Sequence, residues 1–178
     1  DVDVVFGRRP PDNSGMMPGR KEIEDFEQYL LFMYRAEELQ HSFSGCDLST
    51  GLLPDGQAGC WGFRLNAAYR LPLTASSYEI EFDLLASAIE AGLSCAFTKP
   101  LLMSDEPRVS LASQTAIPMS LKKIDFIQRK LRLGPEAVVQ GWSAFKQRFA
   151  NSKPLIGMLP GYEEALIAHC SLGAATDR

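Results

Sequence analysis

Between residues 78 and 92 the chain reads Tyr78-Glu-Ile-Glu-Phe-Asp-Leu-Leu-Ala-Ser-Ala-Ile-Glu-Ala-Gly92. Residues 79–91 predict a helix, and Gly92 is the residue type that commonly ends one. Residues 93–102 follow and predict a strand. A helix that ends in glycine and leads into a strand is typical of α/β proteins, so we expect an α/β fold.

The rest of the chain predicts further strands and helices on either side of this unit. Strands are expected at residues 2–7 and 61–65, where β-branched and aromatic residues concentrate. Helices are expected at residues 20–40, around 67–70, and at 119–132, 135–149 and 161–170. Glycine, proline, serine and aspartate dominate residues 8–19, 41–59 and 104–118, which we interpret as loops.

Composition sets limits on the class of protein. The 178 residues are 46% hydrophobic and 22% charged, with 18 Lys and Arg against 22 Asp and Glu. This is the balance of a soluble globular chain, and its net charge of -4 argues against general binding to nucleic-acid phosphates. The sequence holds no run of 18 apolar residues, and so predicts no transmembrane segment.

Cysteine and histidine usage bears on compartment and metal chemistry. Four cysteines occur without a CxxC spacing, which favours a reducing compartment, and we expect a cytoplasmic protein. Only two histidines occur, which excludes a His-rich metal site. The chain opens in a predicted strand without an initiator Met, so we expect it to be part of a longer polypeptide.

Three groups of polar residues are candidates for ligand contact. Asp1 and Asp3 form a DxD pattern, but they precede the apolar strand instead of following it, so we interpret them as a strand edge. Asp55, Gln57 and Arg64 lie among glycines that would let a ligand approach the backbone. The alternative there is a glycine-rich turn with a surface ion pair.

Arg8 and Arg9 follow the first predicted strand, where open α/β sheets bind anionic ligands. The alternative is that they are solvated surface charges.

Glu79, Glu81 and Asp83 stand at the predicted start of the 79–91 helix. Acidic residues there are stabilised by the helix dipole, which is sufficient reason for their presence. A carboxylate beside a cleft could instead act as a general base that takes a proton from a hydroxyl nucleophile. The residues alone leave both interpretations open.

The order of Asp3-Val-Val-Phe-Gly-Arg-Arg9, Asp55 to Leu65 and Tyr78 to Pro100 resembles the C-terminal half of GT-A-fold, family 2 glycosyltransferases. The polyprenyl-phosphate sugar transferases, such as dolichol-phosphate mannose synthases, are the most similar in pattern. The resemblance implies a partial GT-A, Rossmann-like sheet in residues 1–118, the acceptor-side part of such a domain, and the helices predicted after it make residues 119–178 a helical C-terminal extension. The resemblance also implies inverting transfer of a sugar from a nucleotide sugar to an acceptor hydroxyl or phosphate, with this chain supplying the acceptor-side half.

The resemblance also implies roles for individual residues. Asp55, Gln57 and Arg64 would lie near donor or acceptor phosphate, and Arg8 or Arg9 on the donor-phosphate side. Glu81 would be the first choice for a catalytic base and Asp83 the second. If the acceptor were a lipid phosphate, Glu81 would only position it.

The family's cofactor is a divalent metal, Mg²⁺ or Mn²⁺, whose ligands are not identifiable in this sequence. The family's N-terminal half, with its nucleotide pocket and metal-binding DxD, has no counterpart in this sequence. The helical extension of this sequence in turn has no counterpart in the family.

A second hypothesis is a non-catalytic α/β binding or oligomerisation module. The glycosyltransferase hypothesis predicts one cleft holding Asp55, Arg64 and Glu81. The module hypothesis predicts that these three side chains lie apart, each with local partners. Because a half sheet leaves an edge uncovered, we also expect a homodimer or a second subunit.

Overall fold

The structure, a computed structural model, describes residues 1–8, 20–54, 60–100, 113–150 and 160–176. Within these ranges the fold is mixed α/β, which confirms the predicted class. The strands are β1 (Val4–Phe6), β2 (Trp61–Phe63) and β3 (Cys95–Phe97). The helices are α1 (Arg20–Tyr34), α2 (Ala36–Ser42), α3 (Leu65–Ala68), α4 (Ile80–Glu90), α5 (Ser113–Leu131), α6 (Pro135–Phe149) and α7 (Tyr162–Thr176).

The three strands form one small mixed sheet with β1 in the centre. β1 pairs parallel with β3, with Phe6 opposite Phe97, and antiparallel with β2, with Phe6 opposite Trp61. Val4 and Phe6 are buried while Val5 between them is half-buried, as expected when successive side chains point to opposite faces. Phe6, Phe43 and Phe97 contact one another as an aromatic cluster.

The helix predicted at residues 79–91 is present as α4, one residue shorter at each end. Its residues from Phe82 to Ile89 are buried, and α4 packs against α2. Gly92 has φ +63°, a left-handed conformation that glycine adopts at little cost, and it ends the helix as predicted. The Leu93 N–H bonds to the Ala88 carbonyl and closes this helix end.

Several helices differ from their predicted bounds; α3 begins at Leu65, and α7 extends to Thr176. The helix expected at residues 20–40 is interrupted at Arg35, whose φ of -140° lies outside the helical region. α5 begins at Ser113, within a segment expected to be a loop, and contains Pro118. Because Pro118 lies near the start of the helix, its missing N–H costs one hydrogen bond and does not stop the helix.

The contacts divide the chain into two units. Unit 1 comprises residues 1–14 and 31–106, which include the sheet, α2, α3 and α4. Unit 2 comprises residues 15–30 and 107–178, which include most of α1 together with α5, α6 and α7. The boundary expected between residues 118 and 119 falls inside α5.

In unit 2, helix α7 packs on α5 and α6. Its core is aromatic: the ring of Trp142 contacts those of Phe26, Phe145 and Tyr162. Among the helices in the described ranges, none has the length and apolar character needed to cross a membrane.

Candidate functional site

Both residues of the DxD pattern precede β1, at the amino edge of the sheet, where Ser94 precedes β3. The Asp3 carboxylate accepts hydrogen bonds from the Ser94 N–H at 3.0 Å and the Ser94 hydroxyl at 2.8 Å. These bonds, helped by the charges of Arg64 and Arg70, lower the pKa of Asp3 below its ordinary value of 3.8. Asp1 pairs with Arg64, with 2.7 Å between Oδ1 and Nη2. The two carboxylates therefore tie neighbouring strands together at this edge.

The donor set at this amino edge does not fit a divalent metal. Both carboxylates are engaged by protein donors, and no group of three or more His, Cys, Asp or Glu side chains that could hold a metal occurs in the described ranges. Mg²⁺ needs oxygen ligands that are free to coordinate. The Mg²⁺ or Mn²⁺ implied by the resemblance thus finds no ligand set in this part of the chain.

Arg64 also lies at the amino edge. It follows β2 directly, and because β2 runs antiparallel to β1, its N–H bonds to the Asp3 carbonyl at 3.0 Å. Nearby, the Arg70 side chain donates to the Ala91 carbonyl at the end of α4. Arg64 therefore lies near the end of α4, whereas Glu81 lies in its first turn, about 14 Å earlier along the helix axis.

Asp83 has a structural environment that the sequence did not indicate. Its side chain is fully buried, and Oδ2 accepts hydrogen bonds from the N–H groups of Thr74 at 2.5 Å and Ala75 at 2.6 Å. Oδ1 accepts from the Ser87 hydroxyl at 3.0 Å. Asp83 therefore anchors residues 74–75 on α4. No sequence signal pointed to this, because residues 72–77 show no periodic pattern.

Glu81, the first choice for a base, is half-buried in the first turn of α4. Glu79 precedes the helix, and its Oε2 is buried without a hydrogen-bond partner among the described residues. Glu79 thus differs from Asp83, whose Oδ2 accepts two backbone N–H groups and whose Oδ1 accepts the Ser87 hydroxyl. The role of Glu81 stays a prediction.

The opposite, carboxyl edge of the sheet gathers a second set of polar groups. Arg8 follows β1 and Thr98 follows β3, and the Thr98 N–H bonds to the Phe6 carbonyl at 2.9 Å. The backbone carbonyl of Cys60, which precedes β2, accepts a hydrogen bond from the Gly7 N–H at 2.7 Å. Two polar atoms at this edge, Trp61 Nε1 and Thr98 Oγ1, are buried without a hydrogen-bond partner in the described part of the chain.

Arg8 contributes the positive charge of this carboxyl edge. The charge acts on the Cys46 thiol, whose pKa burial raises and Arg8 partly lowers. Arg9, Asp55 and Gln57 lie outside the described residues, so their predicted roles stay predictions. Of the predicted ligand-binding residues that are described, Arg8 and Arg64 lie at opposite edges of the sheet.

Unit 2 contains a buried polar cluster that the sequence analysis missed, formed by Glu27, Ser120, Lys123 and Tyr162. Lys123 Nζ lies 2.9 Å from Glu27 Oε2, and the two side chains are 10% and 2% exposed. The Ser120 hydroxyl donates to Glu27 Oε1 at 3.3 Å and lies 3.1 Å from the Tyr162 hydroxyl.

Burial and the Glu27 charge raise the pKa of Tyr162, so its hydroxyl stays protonated. Since Ser120 gives its only proton to Glu27, Tyr162 donates to the Ser120 oxygen. The polar chain therefore runs from Tyr162 through Ser120 to a charged Glu27. The ion pair joins residues 27 and 123, which no local sequence pattern connects.

No protein-family model, curated protein or solved structure matches this chain. The resemblance to family 2 glycosyltransferases therefore rests on the sequence pattern.

Proposed function

We propose that unit 1 binds a phosphate-bearing ligand at the carboxyl edge of the sheet and serves inverting transfer of a sugar from a nucleotide sugar. The observation that carries the proposal is the parallel register of β1 and β3, with Val4 opposite Cys95 and Phe6 opposite Phe97. In open α/β sheets, ligands bind outside the carboxyl ends of parallel strands. Arg8 and Thr98 extend from those ends.

Arg8 would contact the phosphate, because a guanidinium offers paired donors that match two phosphate oxygens. Thr98 Oγ1 and Trp61 Nε1 supply polar atoms at the same edge that no described residue satisfies. A phosphate or sugar hydroxyl that reached them would relieve the cost of leaving them unpaired. Arg64, at the amino edge and paired with Asp1, has no part in this contact.

For an acceptor hydroxyl, Glu81 would act as the base. It would take the hydroxyl proton while the acceptor oxygen bonds to the anomeric carbon of the sugar. The bond from that carbon to the phosphate oxygen would break, and its electron pair would leave with the nucleoside diphosphate. Asp83 would take no proton in this step, since its role is to hold residues 74–75. No step is routed through a metal, because the described residues do not fit one.

Ligand binding can be measured by thermal shift and calorimetry with a panel of nucleoside diphosphate sugars, with and without Mg²⁺ or Mn²⁺. A ligand that binds the folded state raises the melting temperature. Arg8→Ala should weaken binding at least about tenfold. Arg64→Ala is the matched control at the opposite edge and should leave binding unchanged. Loss of binding in Arg64→Ala alone, or no binding to any donor, would overturn the proposal.

A non-catalytic α/β binding module is the second candidate, and the local partner of Arg64 favours it. Arg64 pairs with Asp1, as that hypothesis predicts for one of its three side chains. Measuring the release of nucleoside diphosphate in the presence of acceptor distinguishes the transferase from the binding module. A transferase should show turnover that Glu81→Gln lowers by about 100-fold while donor affinity is kept. A binding module should bind without turnover in either protein.

A further inference from the structure

β2 is an edge strand of the described sheet, and no described strand pairs with its outer side. The strand order is β2-β1-β3, so β2 has one neighbour within the described residues. Its residues are Trp61, Gly62 and Phe63, of which Gly62 and Phe63 are exposed. An edge strand with exposed apolar residues invites pairing with another strand.

The register tells which backbone groups of β2 face outward. Directly opposite pairs of an antiparallel ladder alternate between bonded and non-bonded. Asp3 with Arg64 and Gly7 with Cys60 are bonded pairs, so Val5 with Gly62, midway between them, is the next bonded pair. The N–H and C=O groups of Trp61 and Phe63 therefore point away from β1, toward the outer side of β2.

Apolar side chains extend this surface beyond the strand. Leu65 and Tyr69 lie four residues apart, on one face of the short helix α3 and its end, and they are 73% and 84% exposed. Phe63 is 38% exposed, and Val2, which precedes β1, is also exposed. We name Val2, Phe63, Leu65 and Tyr69 the edge patch.

We propose that β2 pairs with β2 of a second copy of this chain, antiparallel, about a two-fold axis at Gly62. This register sets Trp61 opposite Phe63 of the partner copy as a bonded pair on both sides of the axis. These are the residues whose backbone groups point outward. Gly62 then lies opposite Gly62 of the second copy as a non-bonded pair, the pair type with the shorter Cα–Cα distance. A close approach is possible there because Gly62 has open space around it.

The surface available is of the size that a dimer needs. The exposed parts of the edge patch amount to roughly 500 Å² per copy when large side chains carry about 150–250 Å² each. Two copies would bury about 1,000 Å² of side chain before the strands are counted, close to the roughly 1,200 Å² at which specific interfaces begin. Because a two-fold axis uses the same surface of both copies, the contact is closed and gives a dimer instead of a longer assembly.

Sedimentation velocity between about 1 μM and about 1 mM covers the affinity range expected for an interface of this size. The proposal expects a reversible dimer. Phe63→Pro removes one outward N–H and leaves the β1–β2 ladder bonds intact, and it should raise the dimer dissociation constant at least about tenfold. The double variant Leu65→Lys with Tyr69→Lys should do the same by charge repulsion.

Leu172→Lys is the matched control, since Leu172 is 72% exposed on α7 of unit 2. It should leave the dissociation constant unchanged. A protein that stays monomeric over the whole range, or a dimer that Leu172→Lys weakens and the edge variants do not, would overturn the proposal.

A cysteine at the axis tests the register itself. Gly62→Cys in a Cys60→Ser background should form an intermolecular disulfide under mild oxidation, because facing Cα atoms at about 4.5 Å are within disulfide reach. Ala168→Cys on α7, in the same background, controls for random collisional oxidation. Cross-linking of Ala168→Cys as fast as Gly62→Cys would contradict strand pairing at Gly62.

Discussion

Each unit of the chain contains a deeply buried carboxylate, and the two are satisfied in different ways. In unit 1, Asp83 accepts from backbone N–H groups and a serine, all of them neutral donors. In unit 2, Glu27 pairs with the cation of Lys123. Residues 74–75 lie outside helix and strand, so their N–H groups need a side-chain acceptor. The helices of unit 2 satisfy their own backbone, so the buried carboxylate there needs a side-chain cation.

The comparison can be tested unit by unit, because the chain's two tryptophans, Trp61 and Trp142, lie one in each unit. In a Trp61→Phe background the fluorescence of Trp142 reports on unit 2. In a Trp142→Phe background Trp61 reports on unit 1. Each variant below is compared with its own background protein.

The largest effect is expected from Lys123→Met. The substitution leaves Glu27 as a buried charge without its cation, and we expect a loss of about 3–5 kcal/mol in the free energy of unfolding. Urea denaturation followed by Trp142 fluorescence measures it. The double variant Glu27→Leu with Lys123→Met removes both charges and should recover most of the loss. A loss below about 1 kcal/mol in the single variant would mean that the pair is effectively solvated.

Asp83→Ala should have the next largest effect, with a loss of about 2–4 kcal/mol because two part-buried N–H groups and the Ser87 hydroxyl lose their acceptor. The measurement is amide hydrogen exchange, and the protection of the Thr74 and Ala75 amides should fall most. Asp83→Asn keeps an acceptor oxygen and should lose less. Unchanged protection of these two amides in Asp83→Ala would refute the anchoring role of Asp83.

Tyr162→Phe removes only the last hydrogen bond of the unit 2 cluster. The Ser120 oxygen loses one donor, Glu27 keeps both its partners, and the expected loss is about 1 kcal/mol. Urea denaturation read by Trp142 fluorescence tests this value. A loss as large as that of Lys123→Met would show that the cluster depends on the phenol more than on the ion pair.

The smallest effect concerns Asp3, at the surface of unit 1. Its folded pKa is lowered below 3.8, so the stabilisation is fully present above that value and disappears as the pH falls through the folded pKa. Asp3→Asn should therefore lower the stability slightly at neutral pH, where the stabilisation is fully present, and flatten the acid side of the profile below about pH 4, where the two proteins should converge. Thermal melts across this acid range would detect the difference. Parallel profiles for the two proteins would contradict it.

The sequence predicted the helices better than the contacts between them. α6 has the bounds expected for residues 135–149, and α4 ends at Gly92 as expected, because proline and glycine act locally. The strands are shorter than expected, since a β-branched run does not reveal how many of its residues find a partner strand. Strand pairing depends on residues far apart in the chain.

The candidate site could be predicted only in part, for the same reason. Arg8 was expected at the carboxyl end of a strand, and it follows β1. That Arg64 lies at the other edge depends on β2 being antiparallel, which its own sequence does not encode. Glu27 lies in the helix predicted at residues 20–40, but the partner that explains its burial, Lys123, is 96 residues further along the chain. Such pairings follow from tertiary contacts and not from spacing.

Unit 2 is assembled from two pieces of chain, and this sets an order of events during synthesis. Its first piece contains Glu27, and Lys123 arrives only with the second. At about 5–20 residues per second, a ribosome adds Lys123 about 5–20 s after Glu27. For that interval Glu27 lacks the Lys123 cation, so its carboxylate stays in water until the second piece emerges. The helical unit is therefore the last part of this chain to complete its fold.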